Sequence, residues 1–211
     1  MITALLSQKG GVGKTTLALH LAQTLSTKGR TLLLDCDPQG SAMTWLTMRE
    51  TAPDFAVVAL ATETVHRDID RVANGYDFVV IDGPPRSDKI ARSVMMASDR
   101  IIIPMRPAGF DLWASDETAN LVREIQMFKP GLSAAFVMNC KVANTAISRS
   151  AKQAFEESEI PLMRTEIASR VAVAEATTAG LTVFDTAPAS AAAKEIKAFC
   201  DEVIEIEGVT A

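Results

Sequence analysis

The sequence lacks the features that would place a protein in a membrane, outside the cell or firmly on a polyanion. No apolar run approaches the roughly 20 residues that a membrane span needs, and the start "MITALLSQKGG" has no basic segment of a signal peptide. Cys36, Cys140 and Cys200 form no C-x-x-C pair, so neither a zinc site nor a redox dithiol is indicated. The formal net charge of −5 means that any contact with nucleic acid must come from a local, salt-sensitive patch. We therefore expect a cytoplasmic protein that does not contact a membrane.

The 211 residues have an ordinary globular composition, with 48% hydrophobic and 22% charged residues, and suit one domain over residues 1–211. Short apolar runs alternate with helical patterns along the whole chain. We predict strands at residues 2–6, 30–35, 55–60, 76–82, 99–105 and 133–139, and helices at residues 14–28, 65–74, 91–97, 113–128, 148–157, 171–179 and 189–205. Continuous apolar strands separated by helices predict an α/β fold, a mostly parallel twisted sheet flanked by helices on both faces.

The stretch "ALLSQKGGVGKTTLALH" combines a strand, a glycine-rich turn and a helix that begins with Lys-Thr-Thr. Glycine lets backbone N–H groups approach phosphate oxygens, and the helix N-terminus adds its positive dipole end. This order is typical of a P-loop NTPase, in which Lys14 would contact the β- and γ-phosphates, Thr15 would ligate Mg²⁺ and Thr16 would lie near the α-phosphate. A plain glycine-rich turn between a strand and a helix is the alternative.

The loop departs from the general P-loop pattern in two ways: Gln8 stands where that pattern has glycine, and Lys9 adds a second lysine. With this lysine the sequence resembles the deviant Walker A ATPases, the group of ParA, MinD and the nitrogenase iron protein. The resemblance implies ATP and Mg²⁺ as cofactors and an ATP-dependent sandwich homodimer, in which Lys9 would reach the phosphates held by the other subunit. Such a cation would neutralise charge that develops during phosphoryl transfer. The alternative for Lys9 is a solvated loop cation.

Two of the predicted strands end in an aspartate, Asp35 in "LLLDCDPQGSA" and Asp82 in "YDFVVIDGPP", and Asp37 comes shortly after the first of them. These strand ends lie at the sheet edge where ligands of open α/β sheets bind. In the resembled family the second aspartate of D-x-D-P-Q-G orients the attacking water, so the resemblance assigns that role to Asp37. Asp35 is then a group that supports Mg²⁺ or orders the loop. Asp82 has the form of a Walker B carboxylate, which holds Mg²⁺ through water. A turn followed by a helix cap is the alternative for either stretch.

These assignments make up one predicted ATPase site. The predicted catalytic residues are Lys9, Lys14 and Asp37. The predicted metal-site residues are Thr15, Asp82 and Asp35. The predicted nucleotide-binding residues are Lys9, Gly10, Gly11, Val12, Gly13, Lys14, Thr15, Thr16 and Asn139. By the resemblance Asn139 would contact the edge of adenine, and a loop-capping role is its alternative.

The resemblance runs along nearly the whole chain, through "IIIPMRPAGFDLWA" and "VAEATTAGLTVFD", and looks most like the short ParA proteins that partition plasmids. Because the P-loop starts almost at residue 1, we expect no helix-turn-helix domain before it. The acidic tail differs from the basic membrane helix of MinD-type proteins, which anionic lipid would attract. The cysteines do not lie in the loops that bind the cluster of the iron proteins.

For a short ParA protein the resemblance implies an ATP-bound dimer on the nucleoid that binds DNA without sequence preference. A ParB-like or small centromere-binding partner then stimulates hydrolysis and releases the dimer. The candidate DNA contacts are Arg164, Arg170, Lys194 and Lys197, for which solvated surface charge is the alternative. Two other functions stay open: a ParA-like ATPase that positions a protein cargo, and a nucleotide-gated binding module with negligible hydrolysis.

The assignment of Lys9 predicts a separation of binding from turnover. Lys9→Ala should still bind ATP but should neither dimerise productively nor hydrolyse ATP, because the phosphates lose the cation of the partner subunit. Light scattering with and without ATP measures the dimer, and phosphate release measures turnover. A fully active monomeric variant would show that Lys9 is only loop charge.

Overall fold

The fold is built on one parallel sheet. The computed structural model describes residues 1–85, 88–107, 109–142, 155 and 158–206, with only the backbone for residues 88 and 109–115. Seven strands form the sheet, and all of their pairings are parallel. They are β1 Ile2–Leu5, β2 Thr31–Asp35, β3 Ala56–Ala59, β4 Phe78–Asp82, β5 Arg100–Met105, β6 Ser133–Lys141 and β7 Leu162–Ala168. Their order is β3-β2-β4-β1-β5-β6-β7, which confirms the predicted parallel α/β fold.

Helices cover both faces of the sheet. Within the described residues they are α1 Lys14–Ser26, α2 Ser41–Thr47, α3 Val65–Val72, α4 Asp88–Ala97, α5 Gly109–Gln126, α6 Val171–Thr178, α7 Val183–Thr186 and α8 Ala191–Glu205. Ala4 of β1 packs with α3, α4 and α5 on one face, whereas the next residue, Leu5, packs with α1, α2 and α8 on the other. The strands are apolar throughout because both faces are buried. None of the described helices is long and apolar enough to cross a membrane.

The edge strand β7 and the two short helices α2 and α7 are not among the predicted elements. Along β7 the buried Met163 and Ile167 alternate with less buried residues, including the exposed Arg164. An edge strand covered unevenly lacks the continuous apolar run that marks the central strands. Helices α2 and α7 have only 7 and 4 residues, too few to show a helical period. The helix predicted at residues 148–157 lies outside the described residues, apart from Phe155.

Two side chains of the α2 region bind the backbone of the loop between α6 and α7, here called the 180–183 loop. The buried Trp45 donates from Nε1 to the carbonyl of Leu181 at 3.2 Å, and Arg49 donates from Nη1 to the carbonyl of Gly180 at 3.2 Å. Gly180 has a φ of +71°, and a Cβ there would lie within 2.9 Å of the backbone of Arg49. A side chain at position 180 would therefore push the loop away from α2.

His20 on α1 binds the same loop from the other side. Its ring is fully buried, with Nδ1 2.6 Å from the carbonyl of Thr16 and Nε2 3.0 Å from the backbone N of Val183. Because Nε2 accepts the Val183 N–H, the proton of the neutral ring is on Nδ1 and is donated to Thr16. Burial lowers the pKa of His20 to about 4, against the opposing effects of the Thr16 hydrogen bond and the Asp185 charge. The 180–183 loop is thus held by both α1 and the α2 region.

This neutral histidine predicts a pH-dependent contribution to stability. The ordinary pKa of histidine is 6.5, so His20 of the unfolded chain becomes protonated below that pH. In the folded chain His20 stays neutral down to about pH 4. The His20 contribution is therefore complete above about pH 6.5 and is lost between pH 6.5 and 4. His20→Leu should be less stable than wild type by about 1–3 kcal/mol at pH 7, because the Val183 N–H loses its acceptor.

Urea unfolding at a series of pH values measures the difference in the free energy of unfolding between wild type and His20→Leu. That difference should shrink as the pH falls from 6.5 towards 4. Trp45→Phe is the matched control, since it removes another hydrogen bond to the 180–183 loop without removing a titrating group, and its difference should stay constant. A pH-independent difference for His20→Leu would contradict the neutral, buried ring.

Candidate functional site

The sheet places the P-loop at its centre. Strand β1 lies between β4 and β5, and from it the chain runs outward to β2 and β3 on one side and to β6 and β7 on the other. In open parallel sheets, ligands bind at the carboxyl edge where the strand order changes direction. A cavity of about 840 Å³ lies at this point, lined by the P-loop, by Asp37, Pro85 and Asn139, and by α2 and α6. Its volume is in the range of small-molecule sites.

The P-loop is held in a conformation that only glycine adopts easily. Gly13 has a φ of +94°, and a Cβ there would lie 2.3 Å from Nδ2 of Asn139. That Nδ2 donates to the carbonyl of Val12 at 2.8 Å, so the end of β6 supports the loop directly. The contact joins residues 127 apart, and nothing in their spacing signals it. The predicted contact of Asn139 with adenine stays a prediction, but its side-chain donor is already engaged with the P-loop.

Lys14 lies in the cavity with its side chain folded over the loop. Its Nζ donates to the carbonyl of Lys9 at 3.3 Å, and the residue is buried. Burial lowers the pKa of Lys14, and the carboxylates of Asp82 and Asp37 oppose that shift. The Lys9 backbone N–H lies 3.4 Å from Oγ of Ser7, and its side chain is half-buried. The role of Lys9 in a second subunit stays a prediction.

A carboxylate and a hydroxyl meet where a metal was predicted. Thr15 Oγ1 donates to Oδ2 of Asp82 at 2.6 Å, while Oδ1 of Asp82 is buried without a hydrogen-bond partner among the described residues. Burial raises the pKa of Asp82 to about 7, although the hydrogen bond from Thr15 opposes the shift. Oxygen ligands of this kind fit Mg²⁺, which usually takes only one or two carboxylates and completes its shell with phosphate oxygens and water. Among the described residues no cluster of three or more His, Cys, Asp or Glu side chains occurs.

The two aspartates at the end of β2 and just beyond it differ in what they contact. The buried Asp35 accepts from the backbone N of Asp37 at 3.2 Å and from that of Met43 at 3.0 Å, so it orders the turn that leads into α2. Burial raises the pKa of Asp35, and these hydrogen bonds oppose the shift. Asp37 is half-buried, lines the cavity and accepts from the backbone N of Gln39 at 2.9 Å. This geometry suits Asp35 as a loop-ordering group, and its part in a metal site stays a prediction.

The four candidate DNA contacts lie far along the chain, on β7, before α6 and on α8, and acids accompany most of them. Only Lys194 among the four is exposed with no described partner. The ion pairs are Arg164 with Glu202 and Glu205, Arg170 with Glu195, and Lys197 with Asp201. These pairs reduce the positive charge of the region, so DNA contact through it stays a prediction.

Known proteins are similar to this chain in sequence and in fold. The family model described as "CobQ/CobB/MinD/ParA nucleotide binding domain" matches residues 3–183. The "Maintenance of carboxysome distribution protein A" of Halothiobacillus neapolitanus is 32% identical over 205 residues, which cover 95% of both chains. The "Chromosome-partitioning ATPase Soj" of Thermus thermophilus is 28% identical and is aligned over 95% of this chain and 94% of its own. The structure of apo McdA from Cyanothece superposes with a TM-score of 0.82 at 16% identity, covering 96% of this chain and 98% of that one.

The support of the P-loop by Asn139 predicts unequal effects of two glycine substitutions. Gly13→Ala should lower the melting temperature and abolish stabilisation by Mg²⁺-ATP, because the new Cβ is strained and displaces Asn139. Gly10→Ala is the matched control, since a Cβ at position 10 has no atom within 4 Å and apo stability should stay at the wild-type level. Thermal unfolding with and without nucleotide measures both. Wild-type stabilisation of Gly13→Ala by Mg²⁺-ATP would contradict this view of the loop.

Proposed function

Since the chain belongs to the CobQ/CobB/MinD/ParA nucleotide-binding family, we propose that it is an ATP-hydrolysing positioning protein that works as an ATP-dependent sandwich dimer. The observation that carries the proposal is the convergence of three motifs on one cavity. The P-loop and Asp37 line it, and Asp82 is hydrogen-bonded to Thr15 at its edge. Phosphoryl transfer needs little covalent chemistry from the protein, so catalysis rests on positioning and on charge.

In this proposal the cavity is the site for ATP and Mg²⁺, and each side chain has one task. Lys14 would bind the β- and γ-phosphates, and Thr15 and Asp82 would hold Mg²⁺, whose chemistry when bound is to neutralise phosphate charge. Asp37 orients the attacking water from the turn that Asp35 orders, and Lys9 contacts the phosphates of the partner subunit. Oδ1 of Asp82 has no hydrogen-bond partner in the part of the chain that the structure describes, and this supports the metal assignment, because a buried anionic oxygen is costly unless a cation or a donor meets it.

Two cargoes have a specific observation in their favour. A relative that is 32% identical over 95% of the chain is named for carboxysome distribution, which supports a protein assembly as the cargo. A relative that is 28% identical over 95% of the chain is named for chromosome partitioning, which supports DNA segregation with a ParB-like or small centromere-binding partner. In both cases non-specific DNA would be the track, bound by two copies of a weak patch in the ATP-bound dimer.

The role of Asp37 predicts that dimerisation and turnover separate. Asp37→Ala and Asp37→Asn should both keep ATP-dependent dimerisation and lose hydrolysis by about a hundredfold or more, because the water is no longer oriented. The asparagine variant retains an acceptor for the Gln39 N–H, so it tests the charge without opening the turn. Asp54→Asn, at an exposed position, is the control and should hydrolyse ATP normally. Normal turnover by Asp37→Asn would contradict the proposed mechanism.

Phosphate release in the presence of DNA and the product of the adjacent gene tests the function as a whole. Turnover should be slow for the chain alone and should rise when both are added. An adjacent product that binds a specific DNA site identifies DNA as the cargo, and a component of a protein assembly identifies that assembly. Turnover that stays at background in every mixture would contradict an ATPase and favour a nucleotide-gated binding module.

A further inference from the structure

Arg106 is a cation of the cavity to which the predicted site assigns no role. It follows β5 in the stretch "IIIPMRPAGFDLWA", is exposed, and lines the same cavity as Lys14, Asp37 and Asn139. The structure gives it no hydrogen bond or ion pair with any described residue. Arg170, which also lines the cavity, is by contrast paired with Glu195. Because Arg106 has no partner among the described residues, its guanidinium donors are available to a ligand of this cavity.

The register of the sheet places Arg106 beside the P-loop. Met105 pairs with Met138, so Arg106 is level with Asn139, whose side chain contacts the P-loop carbonyl of Val12. Adjacent strands lie roughly 5 Å apart, which puts the two backbones within reach of the same ligand. Ile103 and Met105 pack on the α3–α5 face, whereas Ile102 packs on the α1 face. Strand alternation therefore points Arg106 to the face where α1 begins.

Prolines on both sides restrict the backbone here. Pro104 lies within β5 and Pro107 follows Arg106 directly, and a residue that precedes proline is confined to extended conformations. Pro107 therefore favours a backbone at Arg106 that continues the alternation of the strand. A guanidinium in such a position loses less freedom on binding a ligand than one on a mobile loop.

The strand register indicates on which side of the P-loop the side chain of Arg106 lies, and so which part of a nucleotide it would contact. Leu5 at the end of β1 pairs with Asp82 on one side and with Ile102 on the other, so the metal site and Arg106 lie on opposite sides of the P-loop. A metal held by Thr15 and Asp82 would neutralise phosphate charge from the β4 side, and Arg106 is a cation that lines the cavity on the β5 side. One guanidinium group can donate two parallel hydrogen bonds to phosphate oxygens, and it is weakly hydrated. Both properties suit a phosphate contact on the β5 side of the P-loop.

We propose that Arg106 is a nucleotide-binding residue that contacts the phosphate chain from the β5 side of the P-loop, at phosphates common to ATP and ADP. The inference rests on the proposed nucleotide site and deepens it by adding a second cation from the same subunit. It differs from the role of Lys9, which acts in the partner subunit and only in the ATP-bound dimer.

Calorimetric titration with ADP and with a non-hydrolysable ATP analogue, each with Mg²⁺ and without DNA, tests the proposal. Arg106→Gln should weaken both affinities by about tenfold or more, the effect expected of a lost charge-assisted hydrogen bond. Arg106→Lys should lose less, because it keeps the charge but not the paired donors. Lys28→Gln, an exposed cation just beyond the far end of α1, is the matched control and should bind both nucleotides as wild type does.

The outcomes separate this proposal from the function on which it rests. Binding of both nucleotides by Arg106→Gln within twofold of wild type would overturn it, and so would a role of Arg106 in DNA binding alone, which leaves these affinities unchanged. A loss confined to the ATP analogue would also overturn it, because it would place Arg106 at the γ-phosphate or in the partner site. Failure of wild type to bind either nucleotide would instead refute the nucleotide site itself. Thermal unfolding checks that Arg106→Gln, at an exposed position, remains folded.

Discussion

The burial of the Asp82 carboxylate is the constraint around which the rest of the site is arranged. One of its oxygens accepts a hydrogen bond from Thr15, and the other is buried with no partner among the described residues. An anionic group placed in this way destabilises the folded chain unless a cation meets it. In the proposed site a metal–nucleotide complex bound by the P-loop and Lys14 would supply that cation. Such a ligand would also stabilise the fold, because it would bind only the folded state.

The 180–183 loop ties the walls of the cavity together. Helix α1 begins at the P-loop, and α2 follows the turn that contains Asp37. His20 of α1 and Trp45 of α2 both bind the loop that directly follows α6. Residues of α6 line the cavity, so hydrogen bonds of this loop connect α1 and α2 to a third helix that lines the cavity. This arrangement favours a cavity that keeps its shape as a unit, since buried polar contacts of this kind are costly to break.

The cations of β7 and α8 differ from Arg106 in whether an acidic side chain lies beside them. On β7 and α8 most basic residues are paired with acids, and the chain as a whole carries a net charge of −5. Attraction to a polyanion such as DNA would therefore be weak for one chain, and in the proposed dimer it would grow because two chains would present the same patch together. Inside the cavity Arg106 has no such partner among the described residues. Most of the candidate DNA-contact cations are thus paired with acids, whereas Arg106 keeps its charge available to a ligand of the cavity.

The sequence by itself determined the parallel α/β sheet, the P-loop and the strand-end carboxylates, because each depends on local pattern. A continuous run of apolar residues predicts a buried parallel strand, and Gly-Lys-Thr at the start of α1 predicts a phosphate site within a few residues. The boundaries of most strands and helices followed from the same patterns to within a few residues. The edge strand β7 escaped prediction because its uneven burial leaves no such run.

Only the tertiary structure decided how distant residues share the site. Asn139 and Val12 are 127 positions apart, and His20 and Val183 are 163 apart, so no period or spacing connects them. The same holds for Arg106, whose place beside the P-loop follows from the pairing of β5 with β6. It holds as well for the cations of β7 and α8, whose acidic partners are brought close by packing. Short stretches of sequence determine the residue types of the phosphate and metal motifs. Burial, strand register and ion pairing between distant residues arise only when the strands assemble into one sheet.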